Sequence, residues 1–131
     1  MEPRRVLIDT NVVLWAASDT HRLSRRARST LNDAATRPWL SAVTGVEIAT
    51  KVAIGKLRLD LPAGEFIAEG SRSLGAAVLP VTMEHALGVS DLPMHHRDPF
   101  DRLLVAQARS EGLAILTADR VFARYDVEVI W

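Results

Sequence analysis

Short, fully apolar segments of this chain alternate with longer segments in which apolar residues recur every three or four positions. The short segments are typical of strands that are buried on both faces, and the longer pattern is typical of amphipathic helices. We predict strands over residues 6–8, 38–40, 76–81, 113–116 and 127–130. We predict helices over residues 12–17, 24–35, 43–54, 63–74, 84–89 and 99–111. Residues 56–61 alternate in polarity and are predicted to be extended.

Residues with strong positional preferences mark the ends of these helices. Ser24 is placed to cap the second helix, and Asp98 followed by Pro99 opens the last one. Glycine follows three of the predicted helices, at Gly55, Gly75 and Gly112. Strands separated by helices predict right-handed βαβ units and a mainly parallel sheet. We therefore predict one α/β domain over residues 1–131, a three-layer α/β/α sandwich, since 131 residues is about the length of one domain.

The composition excludes several classes of site. The chain has no cysteine, so disulfides, thiolate zinc sites and cysteine nucleophiles are excluded. Sixteen basic and sixteen acidic residues balance, so a polyanionic substrate would need a local patch or a bound metal ion. The charged N-terminus (Glu2, Arg4, Arg5) and the lack of an apolar stretch of roughly 20 residues predict a cytoplasmic protein without a membrane segment.

Acidic residues follow the predicted strands at the edge where open parallel sheets bind ligands. Asp9 directly follows the first strand, and Asp119 follows the fourth. Asp98 and Asp101 open the last helix, and Glu47 lies one turn into the helix after the second strand. Four segments of the chain are thus predicted to bring a carboxylate to one edge of the sheet.

Each acid also has a purely structural explanation. Asp9, Asp98 and Asp119 could each cap a helix, and we assign Asp98 to that role. Asp101 then remains the chemical candidate of its pair. Glu47 shares a helical stripe with apolar residues, so it needs an arginine or a metal ion as partner, and a buried ion pair would explain it.

The acids taken together are stronger evidence for a functional site than any one of them. Converging carboxylates repel one another unless they are protonated or a divalent cation neutralises them. Oxygen-only sites suit Mg²⁺ or Mn²⁺, which activate water for phosphodiester hydrolysis. The sequence shows no competing nucleophilic triad, phosphate-binding P-loop or dinucleotide-binding glycine motif.

Four segments, in the same order, resemble the motifs of PIN-domain ribonucleases. They are LIDTNVVLW at 7–15, SAVTGVEI at 41–48, HRDPFDRLLVAQA at 96–108 and LTAD at 116–119. Within that family the chain is most similar to VapC toxins of bacterial toxin–antitoxin modules, and the ending YDVEVIW at 125–131 is typical of one subgroup. The resemblance covers nearly the whole chain.

The resemblance implies a set of metal-binding and catalytic acids: Asp9, Glu47, Asp101 and Asp119. In this interpretation Asp9 and Asp101 bind the principal ion, Asp119 assists, and Glu47 orients or deprotonates the attacking water. Asp98 is an extra acid of the subgroup. Supporting hydrogen bonds are implied for Asn11 and Thr117.

The resemblance also implies an activity and partners. These are Mg²⁺- or Mn²⁺-dependent endonucleolytic cleavage of RNA, a homodimer, and a toxin–antitoxin hetero-oligomer. The implied antitoxin is of VapB type and inserts a C-terminal segment into the groove of the active site.

Basic and histidine residues beside the acids are further candidates. Arg97 and Arg102 are predicted to contact the scissile phosphate or to pair with Glu47. Adjacent side chains in an extended segment point to opposite faces, so His95 and His96 are not expected to bind one ion together. For His96 we predict a hydrogen bond within the loop.

Two other functional classes remain open from the residues. A metal-dependent phosphatase or a phosphoacceptor receiver domain also places acids at strand ends. The first would carry a second Asp two residues after Asp9, where Asn11 stands, and the second would carry a lysine after a late strand. The third possibility is a module that binds RNA or a partner and for which cleavage is not essential.

Overall fold

Five parallel strands form the central sheet of the computed structural model, which describes residues 4–131. Glu2, counted above in the charged N-terminus, lies outside the described residues. The strands are β1 (Arg4–Ile8), β2 (Thr36–Ser41), β3 (Ala77–Leu79), β4 (Ala114–Leu116) and β5 (Val129–Ile130). Their order in the sheet is β3-β2-β1-β4-β5. The chain adds β2 and β3 on one side of β1 and then β4 and β5 on the other side, so a topological switch point lies between β1 and β4.

Within residues 4–131, six helices pack on the two faces of this sheet. They are α1 (Thr10–Ser18), α2 (Arg25–Asn32), α3 (Ala42–Ala53), α4 (Ala63–Leu74), α5 (Met83–Gly88) and α6 (Pro99–Glu111). Short 3₁₀ segments lie at Thr20–Arg22, Val89–Asp91 and Arg120–Arg124. Leu7 belongs to one apolar core, and its neighbours Val6 and Ile8 belong to the other. From Val6 to Ile8 both faces of β1 are buried, which is why this part of the strand is apolar throughout, and the predicted three-layer α/β/α fold is confirmed.

The signals at the helix ends account for the most accurate boundaries. The helices predicted over 63–74 and 99–111 are confirmed at both ends, where Gly75 and Gly112 adopt positive φ angles of 63° and 67°. Ser24 caps α2 by accepting a hydrogen bond from the Ala27 amide. Asp98 accepts from the Phe100 amide in the same way.

Residues 56–61, predicted to be extended, form neither a helix nor a strand within residues 4–131. Some predicted boundaries were wrong. The helix predicted over 24–35 ends at Asn32, where the Asp33 carboxylate accepts a hydrogen bond from the Ala35 amide and holds a turn. In the part of the chain that the structure describes, no helix is long and apolar enough to cross a membrane.

Candidate functional site

The site lies at the carboxyl ends of β1 and β4, where the two halves of the sheet diverge. Asp9 follows β1, and its amide donates to the Leu116 carbonyl at the end of β4 (3.0 Å). The buried Thr117 hydroxyl donates to Oδ2 of Asp9 (2.9 Å) and accepts from the Asp119 amide (3.0 Å). Thr117 therefore ties two acids of the site to each other through one side chain.

Asp9 stands at the N-cap position of α1, but its carboxylate does not act as a cap. Among the described residues its side chain makes none of the hydrogen bonds of a helix N-cap. The residue is only 5% exposed. The pKa of Asp9 is raised to about 6, chiefly by burial and to a smaller extent by nearby Glu47 and Asp119, against the opposing hydrogen bonds from the Thr117 hydroxyl and the Thr10 amide.

Of the two acids at the start of α6, Asp98 has a structural role and Asp101 is the candidate for chemistry. Oδ1 of Asp98 accepts from the amides of Phe100 (2.8 Å) and Asp101 (3.4 Å), so Asp98 caps the helix. Asp101 is the third residue of α6, and its Oδ2 lies 2.9 Å from Nε2 of His96. Burial raises the pKa of Asp101 to about 8, with smaller contributions from neighbouring carboxylates, of which Asp9 is the largest.

The two carboxylate oxygens of Asp119 have different surroundings. Its Oδ1 accepts from the Val121 amide (3.0 Å) and caps the 3₁₀ segment Arg120–Arg124. Its Oδ2 lies 3.5 Å from Nε2 of His96. Ligand atoms of His96, Asp101 and Asp119 all lie within 4.8 Å of one another.

Glu47 is buried on α3 with one oxygen paired and one unpaired. It is 6% exposed, and its Oε2 lies 2.6 Å from Nζ of Lys51, one helical turn on. Its Oε1 is buried and finds no hydrogen-bond partner within residues 4–131. The bond to Glu47 raises the pKa of Lys51. The sequence analysis missed Lys51, although its spacing of four residues from Glu47 is a recognisable ion-pair signal.

Buried polar contacts fix the helices that carry the acids. The hydroxyls of Thr10 and Thr44 lie 2.9 Å apart and join α1 to α3. The Ser41 hydroxyl donates to Gln107 Oε1 (2.5 Å) and joins the N-terminus of α3 to α6. Asn11, for which a supporting bond was implied, is exposed and makes no side-chain hydrogen bond within residues 4–131. Its neighbour Thr10 makes the contact between elements instead.

Neither candidate arginine, Arg97 or Arg102, pairs with Glu47 in the described part of the chain. Arg97 is exposed. Arg102 is 8% exposed, and its guanidinium donates to the backbone carbonyls of Pro93 (2.9 Å), Val89 (3.1 Å) and Leu92 (3.3 Å). The contact with phosphate predicted for Arg102 does not fit these bonds, which pin the loop before α6. A buried guanidinium held by carbonyls could not be read from the sequence, because its partners lie in an irregular segment.

The residues present suit a divalent cation. The donors are carboxylate oxygens, which Mg²⁺ and Mn²⁺ prefer. The unpaired Oε1 of Glu47 and the raised pKa values of Asp9 and Asp101 both indicate more negative charge than this part of the protein balances by itself.

The fold recurs in solved structures of low sequence identity. VapBC from Salmonella typhimurium, solved bound to DNA, is 17% identical with a TM-score of 0.69, and the match covers 96% of both chains. VapBC2 from Rickettsia felis, bound to a DNA fragment from its promoter, is 12% identical with a TM-score of 0.67 over 95% of this chain and 96% of that one. FitAcB from Neisseria gonorrhoeae is 23% identical with a TM-score of 0.59 over 95% of both. These likenesses show the fold.

No curated protein matches the sequence. The profile of the PIN domain family matches residues 6–128, which include the four acids, β2, β3, β4 and the last three residues of β1, but not β5. The chain therefore belongs to the PIN domain family.

Proposed function

We propose that this chain, as a single nuclease domain over residues 1–131, is a Mg²⁺- or Mn²⁺-dependent endoribonuclease and the toxin of a toxin–antitoxin module. One observation carries the proposal. Four elements deliver carboxylates to the switch point of the sheet, and one buried carboxylate oxygen, Oε1 of Glu47, has no partner in residues 4–131. Such an arrangement is costly in a folded protein unless a cation completes it.

In this proposal each acid has a role in the reaction that fits its surroundings. Asp9, Asp101 and Asp119 would hold the ion, since all three present oxygens at the carboxyl edge of the sheet. A bound Mg²⁺ or Mn²⁺ supplies a water of lowered pKa and stabilises charge on the phosphodiester oxygens. Oε1 of Glu47 would accept the proton of the attacking water, while Lys51 holds Oε2. Thr117 and Asp98 keep Asp9 and Asp101 in place.

Surface features support partners of the kind found in the VapBC and FitAcB structures. A groove of about 400 Å³ between α1 and α4 is lined by apolar and charged side chains, among them Leu14, Leu57, Phe66, Arg58 and Glu69. This lining suits a segment of a VapB-type antitoxin. Exposed large apolar residues on β3, α5 and the segment between them support a homodimer: Val78, Val81, Met83 and Leu87. A toxin that cuts cellular RNA would act in the cytoplasm.

Cleavage of total cellular RNA by the purified protein tests the proposal. We expect discrete products with Mg²⁺ or Mn²⁺ and none with EDTA. Asp9→Asn and Glu47→Gln should lower the rate by roughly 10²–10⁴-fold, because positioned acids contribute on that order.

Asp126→Asn provides the matched control, because it removes the same charge at an exposed position. It should cleave at the wild-type rate. If the wild type, shown by mass spectrometry to be free of antitoxin, yields no products with either ion, the nuclease proposal is wrong. Full activity of Glu47→Gln would remove Glu47 from the mechanism.

A further inference from the structure

Four arginines lie within seven residues of the chain, in the 3₁₀ segment Thr20–Arg22 and in α2. They are Arg22, Arg25, Arg26 and Arg28. All four are exposed, and none forms an ion pair with another residue of the described range 4–131. Because the chain as a whole carries no net charge, this cluster gives one side of the domain a local positive potential.

Two of these arginines occupy positions in α2 that disfavour positive charge. Arg25 and Arg26 are its first two residues, and the first turn contains no acid. The N-terminus of a helix carries a partial positive charge, which attracts anions and repels cations. The side chains thus add positive charge to a helix end that is already positive, an arrangement that a bound anion would stabilise.

Arg25 and Arg26 line a pocket of about 540 Å³ at the edge of the sheet opposite the acids. The pocket is also lined by Arg4 and Thr36, the paired first residues of β1 and β2. Thr36 is only 7% exposed, and its side chain makes no hydrogen bond within residues 4–131. Its hydroxyl therefore keeps both its donor and its acceptor for whatever occupies the pocket.

Two acids near the pocket do not balance its charge. Asp33 lines the pocket, but its Oδ1 accepts a hydrogen bond from the Ala35 amide. Glu128 pairs with Arg4. The pocket therefore keeps positive charge, carried by the two arginines of α2. Guanidinium groups and hydroxyls are the donors that proteins use for phosphate, so this pocket suits a phosphate group.

A row of contacts leads from the acids to this basic cluster. The Thr117 amide donates to the Ile130 carbonyl (3.2 Å), which places the next residue, Trp131, beside the carboxyl edge of the sheet. Trp131 packs against Trp15, with ring centroids 5.9 Å apart. The guanidinium of Arg22 lies over the Trp15 ring, 4.6 Å from its centroid, and α2 begins three residues later. Aromatic rings and stacked guanidinium groups are the surfaces to which single-stranded RNA binds.

We propose that Arg22, Arg25 and Arg26 bind phosphates of the RNA substrate several nucleotides away from the bond that is cut. This inference rests on the proposed function, because it takes RNA as the substrate. The RNA strand extends from the acids past Trp131 and Trp15 to the pocket at the start of β1 and β2. The three arginines then determine affinity, since contacts with phosphate position a nucleic acid.

Binding of labelled polyuridylate to the whole chain in EDTA, followed by fluorescence anisotropy, tests the inference without cleavage. Each contact with a phosphate of a single strand contributes about 0.7 to the slope of log affinity against log salt. The slope should fall by about 0.7 in Arg22→Gln and by about 1.4 in the double variant Arg25→Gln/Arg26→Gln. At roughly 0.1 M salt, these losses correspond to about 5-fold and about 25-fold weaker binding.

Arg109→Gln is the matched control. Arg109 is exposed, forms no ion pair within residues 4–131, and lies at the end of α6, on the other face of the sheet from α2. Its replacement should leave the slope unchanged. A wild-type slope in the double variant would overturn the inference. An equal fall in Arg109→Gln would also overturn it, because the effect would then be one of overall charge.

Cleavage kinetics give a second readout and separate this inference from the proposed function. With Mg²⁺ the double variant should raise KM for cellular RNA about 25-fold, and raise it by more than it lowers kcat. Intact RNA together with the expected slopes would refute the nuclease and leave the binding surface standing. Cleavage with wild-type slopes in all variants would do the reverse. If the double variant loses affinity for inorganic phosphate but binds RNA as the wild type does, the pocket holds a small anion and the inference is wrong.

Discussion

Replacing Asp101 by Asn should stabilise the protein without metal while it abolishes cleavage. Asp101 lies where burial and neighbouring carboxylates, Asp9 foremost, oppose its negative charge, and its pKa is raised from 3.8 to about 8. Asn has nearly the same shape and carries no charge. The substitution therefore removes a source of repulsion that serves the fold only when a cation is bound.

The size of the effect follows from the difference in pKa. At pH 7 the carboxyl of Asp101 is ionised in the unfolded chain and mostly protonated in the fold, and each pKa unit corresponds to about 1.4 kcal/mol. This sets a ceiling of about 4 kcal/mol on the stabilisation. The side chain is still 17% exposed, and solvent weakens the effect, so we expect about 1–3 kcal/mol, or roughly 3–10 °C in Tm.

The sign of the pH dependence follows from the same difference. Because the pKa of Asp101 is higher in the fold than in the unfolded chain, the folded protein binds more protons between pH 3.8 and about 8. The metal-free wild type should therefore lose stability as the pH rises through this range. Asp101→Asn removes this contribution, so its advantage should be small at pH 4 and largest near and above pH 8.

Thermal unfolding followed by circular dichroism in EDTA, from pH 4 to pH 8.5, measures this effect. Asp126→Asn again controls for the loss of one exposed charge and should shift Tm little at any pH. Added Mg²⁺ should raise the Tm of the wild type and leave that of Asp101→Asn nearly unchanged. An Asp101→Asn protein that is less stable than the wild type at pH 8 in EDTA would refute the reasoning.

Three further substitutions test single contacts of the site. Lys51→Met should destabilise the chain by about 1–3 kcal/mol in urea, because it leaves the buried Glu47 carboxylate unpaired, and adding Glu47→Gln should recover most of the loss; additive effects would speak against the pair. Arg102→Met should cost about 2–4 kcal/mol, because it removes hydrogen bonds to three carbonyls and leaves that of Leu92 without a partner within residues 4–131. It should leave kcat per folded molecule unchanged, and a selective fall in kcat would return Arg102 to the site. Thr117→Val removes the hydrogen-bond donor to Asp9, so the pKa of Asp9 should rise above about 6 and the acid limb of the pH–rate profile should move to higher pH. An acid limb at unchanged pH would show that ionisation of Asp9 does not determine it.

The sequence predicted the parts of the fold that depend on local signals. Apolar strands, amphipathic helices and their caps at Ser24 and Asp98 are each encoded within a few residues, so their positions follow from the chain alone. The rule for open parallel sheets then placed the acids at one edge. The helix predicted over 24–35 was too long, because the turn held by the Asp33 carboxylate ends it at Asn32.

The partners of each acid could not be predicted in the same way, because they depend on contacts between distant segments. Thr117 and Asp9 are 108 residues apart, and Ser41 and Gln107 are 66 apart. The direction of the Arg102 side chain is set by carbonyls of an irregular loop, which has no periodic pattern. Lys51 is the exception, since its spacing from Glu47 is local and could have been read.

Binding of a divalent cation tests the central claim, that Asp9, Asp101 and Asp119 hold one metal ion beside Glu47. Electron paramagnetic resonance of free Mn²⁺ during titration of the purified chain measures it without any substrate. We expect saturable binding that Mg²⁺ displaces. Asp9→Asn or Asp101→Asn should weaken it by at least about 10-fold, in the range found for metal-site substitutions, and Asp126→Asn should leave it unchanged. An absence of binding at millimolar Mn²⁺, or equal binding by all four proteins, would contradict it.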